Sequence, residues 1–156
     1  MKLAEALSER ADAVRRVEQL RSRIVGSARY QEGESPAEDA AQLLVEAGEV
    51  LDQLQVLIAR INRTNAATTV GAGTLTEALA RRDVLRLRHA VLTAAADAAA
   101  GRDQRGVAVR QLRSELKMFS ALPVAELRAQ ADAVARELRD LDVQVQWTNW
   151  EADLLD

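Results

Sequence analysis

The side chains best suited to chemistry gather in one stretch, LIARINRTNAATTVGAGTLTEALARRDVLRLR, from Leu57 to Arg88. An apolar stripe there runs into Asn62, Thr64 and Asn65, crosses a glycine-containing loop, and restarts among Thr74, Glu77, Arg81 and Arg82. Three roles fit such a polar junction. Its side chains can satisfy the open carbonyls at one helix end and the open N–H groups at the next helix start. An amide on an apolar seam, as at Asn65, can fix the register of helices or subunits at some cost in stability. A helix N-terminus beside arginines also attracts a small anion. The sequence leaves all three open.

A second group is EAGEVLD, in which Glu46, Glu49 and Asp52 stand three residues apart. The spacing loosely resembles the Mg²⁺-binding ExxE pattern of all-α nucleotide pyrophosphohydrolases, where clustered carboxylates hold Mg²⁺ on triphosphate oxygens. That resemblance implies a matching ExxD on a following helix. The third helical stretch has none, and Glu137–Asp140 is remote in sequence. Charges at this spacing also describe a solvated helix face, so a Mg²⁺-dependent hydrolase is the alternative and not the main reading. A multi-histidine metal site is excluded by a single histidine, His89, and Arg86 three residues before it breaks the Glu-x-x-His pattern of di-iron bundles. GAG lacks the Lys-Ser/Thr of a phosphate loop. No catalytic residue and no cofactor is assigned.

Composition narrows the class. A chain of 156 residues fits a single helical domain. Aromatics are only 3% while 48% of residues are apolar, and much of that share is alanine, which suits long slender helices. Such helices commonly bury their remaining apolar surface against another subunit, so a homo-oligomer is expected. A net charge of −3 argues against a general nucleic-acid binder. Without cysteine, disulfides and thiolate metal sites drop out. The first residues lack the apolar core of an export signal, no run is long enough to span a bilayer, and a cytoplasmic setting is expected.

The elements that must position these residues are mainly α: long antiparallel amphipathic helices in a coiled-coil-like hairpin or bundle. Helices are expected over about 2–27, 36–65, 75–100 and 123–153. Leu3, Leu7, Val14, Val17, Leu20 and Ile24 mark the first. SPAE places Ser35 as N-cap, Pro36 at the first helical position and Glu38 as its capping-box partner. Leu44, Ala47, Leu51, Leu54, Ile58 and Ile61 then form a heptad seam whose next position is Asn65. Thr74 and Glu77 make a second capping box. The third seam reads Leu75, Ala78, Arg82, Leu85, His89, Leu92, Ala96 and Ala99, with Leu79, Val84, Leu87 and Val91 widening its apolar face. The short connection makes the second and third helices antiparallel neighbours. Residues 107–121 fit a helix or a short β-hairpin, and the extended form is favoured. The last seam is Leu127, Ala131, Val134, Leu138, Leu141 and Val145, followed by Trp147 and Trp150, which share a face and are interface candidates.

The segments ARINRTN, TLTEALARRDVLRLR and ELRAQADAVARELRDLDVQVQWTNW resemble a family of small bacterial proteins labelled septicolysin-like, over nearly the whole chain. The resemblance implies a mostly helical protein and brings no catalytic residues with it. Its label implies a pore-forming cytolysin, yet the sequence has no hydrophobic hairpin for insertion and few interfacial aromatics. The main expectation is a non-enzymatic helical protein that assembles with itself.

Overall fold

The computed structural model of the protein describes residues 1–102 and 116–156. It is mainly helical: α1 (Leu3–Ser27), α2 (Ala40–Ala67), a small hairpin of β1 (Thr69–Val70) and β2 (Gly73–Thr74), α3 (Leu75–Ala99) and α4 (Val124–Glu151). Most of the 107–121 segment lies outside the described residues. Its described part, Leu116–Ala121, is exposed and in neither helix nor strand. No helix among the described residues is long and apolar enough to cross a membrane.

The described residues fall into two compact units, one of Met1–Thr76 with Gln146–Asp156 and one of Glu77–Val145. In the first, α1 packs along α2. Arg16 meets Glu46 at 2.6 Å and the Arg23 guanidinium grips the Glu38 carboxylate with Nε at 3.0 Å. Pairs at 16–46 and 23–38 require the helices to run antiparallel. In the second unit, Arg81 meets Glu137, Arg86 meets Asp142 at 3.6 Å and Arg128 meets Asp97 at 2.6 Å. Asp142, late in α4, lies beside Arg82 and Arg86 early in α3, while Arg128 at the start of α4 meets Asp97 near the end of α3, so α3 and α4 are antiparallel too. Antiparallel helices are therefore present as expected, α1 with α2 in one unit and α3 with α4 in the other.

The start of α2 differs from the SPAE expectation. Its N-cap is Asp39, whose carboxylate accepts from the N–H groups of Ala41 at 3.0 Å and Gln42 at 3.1 Å. Two charge-assisted bonds to orphan helix donors outweigh the single bond Ser35 would offer. Glu38, expected to reach back to Ser35, instead takes the Arg23 guanidinium of α1.

The buried line of α2 also lies one residue from the expected seam. Leu43 and Ile61 are buried, Ala47, Val50, Leu54 and Leu57 are half-buried, and the line ends on Thr64 at 1% exposure. Spacings of four and three alternate throughout, as a helix-on-helix seam requires. Leu44 and Leu51 are exposed, and Asn65 is half-buried beside the line. Ala47, Leu54 and Ile61 belong to both readings; packing against α1 selects the flank carrying Leu43.

The α3 seam is as read: Leu75, Ala78, Leu85 and Ala96 are buried, with Arg82, His89, Leu92 and Ala99 half-buried between them. The α4 seam follows with Ala131, Leu141 and Val145 buried. The connection from α2 to α3 is a two-residue hairpin, with Thr69 paired to Thr74 and Val70 to Gly73. Gly71 has φ +60° and Ala72 no positive φ, the pattern of a type II′ turn, which favours glycine at that first central position. The Leu75 N–H donates to the Thr68 carbonyl at 2.8 Å and ties the start of α3 to the end of α2.

Candidate functional site

The polar end of α2 is organised around Thr64. Its hydroxyl donates to the Arg60 carbonyl at 2.8 Å and accepts from the Leu155 N–H at 3.0 Å. Its carbonyl accepts both the N–H and the hydroxyl of Thr68, at 2.9 and 2.8 Å. One helical turn earlier, Arg60 donates from Nε to the Leu155 carbonyl at 2.9 Å and from Nη2 to Asp156 at 2.8 Å. Buried polar groups need partners, and among the described residues no buried side-chain nitrogen or oxygen lacks one.

The same end carries a clasp between residues 1–3 and 152–156. The Leu3 N–H donates to the Ala152 carbonyl and the Leu154 N–H to the Met1 carbonyl, each at 2.9 Å, making a bridge of Lys2 with Asp153. Lys2 Nζ adds bonds to Asp153 and to the Glu151 carbonyl, both at 2.9 Å. The ammonium holds the Asp153 carboxyl below the usual carboxylate range, and its hydrogen bond to Asp153 raises the Lys2 ammonium above its ordinary value. Leu3, fully buried, and Leu154 lie beneath this bridge.

The seven junction residues divide between the units. Asn62, Thr64, Asn65 and Thr74 belong to the first; Glu77, Arg81 and Arg82 belong to the second. Asn62 is exposed, and Thr74 immediately precedes α3, where the T-x-x-E spacing put it. Both arginines face carboxylates. Arg81 donates to Glu137 with Nε at 3.1 Å, and Arg82 Nε stands 3.5 Å from Asp83 and 4.0 Å from Asp142. An anion captured there would have to displace a carboxylate from each guanidinium.

The acidic trio does not converge. Glu46 is taken by Arg16, while Glu49 and Asp52 are exposed. Among the described residues no three His, Cys, Asp or Glu side chains are placed to hold a metal ion.

Large apolar side chains are exposed on several helices, Leu44 and Leu51 of α2 among them, and those of α4 and α3 bear most on function. Trp147 and Trp150 are 69% and 64% exposed, so neither anchors α4 by burial. Trp147 borders an open groove of about 530 Å³ with Thr68, Thr69, Thr148 and Asp153. The larger surface is on α3. Ala80, Val84, Leu87, Val91, Ala94 and Ala98 are all exposed, Leu87 and Val91 at 68% each. Their spacings alternate four and three, so they form a second heptad stripe. At 3.6 residues per turn it lies on the side of α3 opposite the buried seam. The sequence showed Leu79, Val84, Leu87 and Val91 as a widening of one face; Leu79 is half-buried and off the stripe, and the continuing spacing through Ala80, Ala94 and Ala98 was the signal for a separate face.

A family model described as a family of unknown function, DUF6847, matches residues 10–154. The chain belongs to that family. It is also similar, at 37% identity, to a chain described as a functionally unknown conserved protein from Corynebacterium diphtheriae, known from a crystal structure. The TM-score is 0.89, with 99% of each chain covered. No curated protein matches. The septicolysin-like resemblance is thereby overturned: the motifs that carried it, ARINRTN, TLTEALARRDVLRLR and the tryptophan-bearing tail, fall within the span matched by DUF6847. With that label goes the pore-forming expectation that rested on it.

Proposed function

We propose that this member of DUF6847 acts by assembling with copies of itself and not by catalysis. One observation carries the reading. α3 presents a continuous apolar stripe to solvent, with Val84, Leu87 and Val91 at 54%, 68% and 68% exposure. Contiguous apolar surface of this kind marks an interaction site, whereas single exposed leucines do not. The heptad spacing adds that the partner surface is a helix, in coiled-coil fashion. The exposed tryptophans of α4 offer a second, smaller surface of the type enriched at interfaces. The proposed setting is the cytoplasm, in keeping with a chain 29% charged.

Light scattering behind size-exclusion chromatography, over a rising series of loading concentrations, tests the proposal. A mass that climbs above the 17.1 kDa of one chain supports it. A constant 17.1 kDa up to the highest soluble concentration overturns it.

A further inference from the structure

The charges that border the outer stripe of α3 say which partner it fits. With Val84 and Val91 at a positions and Leu87 and Ala94 at d positions, Arg81 and Arg88 fall at e, and Asp83 and Asp97 at g. One edge of the stripe is thus basic and the other acidic. Residues at e and g of paired helices face one another and set both partner choice and orientation.

We propose that the occupant of this stripe is the same stripe of a second copy, with the two α3 helices parallel and in register, which rests on the self-assembly reading above. In a parallel pair a g residue meets the partner's e residue five positions later. Asp83 of each copy then faces Arg88 of the other, giving two opposite-charge contacts by symmetry. The remaining g-to-e meetings within the helix are neutral: Thr76 with Arg81 and Ala90 with Ala95. An antiparallel pair centred on the stripe instead sets e against e and g against g. It brings Arg88 beside Arg88 and Asp83 beside Asp97, both repulsive.

Arg88 and Asp83 are exposed. Arg88 makes no ion pair among the described residues. Asp83 has only loose neighbours on its own helix, Arg82 at 3.5 Å and Arg86 at 3.7 Å. In the parallel pair the e partner of Asp97 would be residue 102, beyond the end of α3; because Asp97 already holds Arg128 within its own chain at 2.6 Å, its repulsion of Asp83 in the antiparallel pair is the weaker one, and Arg88 beside Arg88 carries the contrast. The stripe spans about 27 Å at 1.5 Å per residue. A single two-helix seam of that length belongs at the small end of specific interfaces, so the pair is expected to be weak and concentration-dependent.

Asp83→Arg tests orientation by the sign of its effect. In the parallel pair it puts two arginines opposite each other on both edges, and dimerisation measured by sedimentation equilibrium weakens about tenfold. Exchanging both charges, Asp83→Arg with Arg88→Asp, restores it to near the parent value. In the antiparallel pair Asp83→Arg removes a repulsion and tightens association, which overturns the proposal but leaves self-assembly standing. An unchanged constant also overturns it, since the bordering charges then face nothing. A parent protein that stays monomeric overturns both this and the assembly reading.

The chain has no cysteine, which gives a second readout. Ala94→Cys alone, treated with oxidised glutathione, forms a covalent dimer in the parallel pair. If the disulfide forms only when Ala94→Cys protein is mixed with Val84→Cys protein, the helices are antiparallel.

Discussion

The two apolar faces of α3 have nearly the same spelling and opposite fates. One carries Leu75, Ala78, Leu85 and Ala96 into the interior; the other leaves Val84, Leu87 and Val91 more than half exposed. Heptad spacing is common to both, so spacing identifies a face that wants a helix beside it without saying whether that helix belongs to the same chain. The difference lies in what borders each face. The inner seam carries Arg82 and His89, half-buried, and ion pairs to Glu137 and Asp142 run alongside it. The outer stripe is flanked by Asp83 and Arg88, and Arg88 has no ion-pair partner in its own chain among the described residues.

Substitutions can sharpen or break this contrast. Leu85→Ala should cost about 3 kcal/mol in urea unfolding, the usual loss for truncating a buried leucine. Leu87→Ala, two residues away, should change unfolding of the dilute monomer by less than about 0.5 kcal/mol while weakening association. Equal costs at the two positions would mean that the outer face is also covered within the chain.

Next in size is Thr64→Val. It keeps the shape of the buried end of α2 but leaves the Leu155 N–H without its acceptor, for an expected loss of about 1–2 kcal/mol. A smaller effect follows at the start of the same helix, where Asp39→Ala should cost about 1 kcal/mol and Ser35→Ala almost nothing. The reverse order would restore Ser35 as the cap.

The smallest effect is one of pH. Bonding to Arg23 holds the Glu38 carboxyl below its ordinary value of 4.5, as Lys2 does for Asp153. A carboxyl depressed in the folded state binds its proton first in the unfolded state, so the contribution is present above the ordinary value and is lost as pH falls through the folded one. Both groups are exposed, and screening keeps the effect small. Urea midpoints between about pH 6 and 3 should therefore fall slightly more for the parent than for Glu38→Gln. A parallel fall in the two proteins would show that the Arg23–Glu38 pair contributes nothing.

Much of the helical plan was legible in residue order. α3 and α4 were, down to individual seam residues, because each inner seam runs unbroken at heptad spacing from the first turn of its helix, although on α3 the period did not separate that seam from the outer stripe. α2 was less so. Leu43 and Leu44, Val50 and Leu51, and Leu57 and Ile58 are adjacent apolar pairs, and the period alone cannot choose between two lines that share Ala47, Leu54 and Ile61 and lie only about 50° apart. Contact with α1 makes the choice, and moves the polar end of the seam from Asn65 to Thr64. At SPAE a well-formed capping signal lost to an aspartate four residues on, once Glu38 had an arginine partner across the helix pair. The clasp of Lys2 with Asp153 leaves no local trace at all, since a single bridge between distant residues has no periodicity to read. Of the polar junction, the sequence displayed the members but not their separation into two units or the carboxylates that hold Arg81 and Arg82.

The most direct test of the central claim is sedimentation velocity on three proteins: the parent, Leu87→Glu, and Val25→Glu on α1, where the side chain is 72% exposed but belongs to no stripe. The account predicts that the parent and the Val25 variant self-associate alike, while Leu87→Glu stays at one chain across the same concentrations. Association that survives Leu87→Glu would contradict it, as would equal loss in both variants.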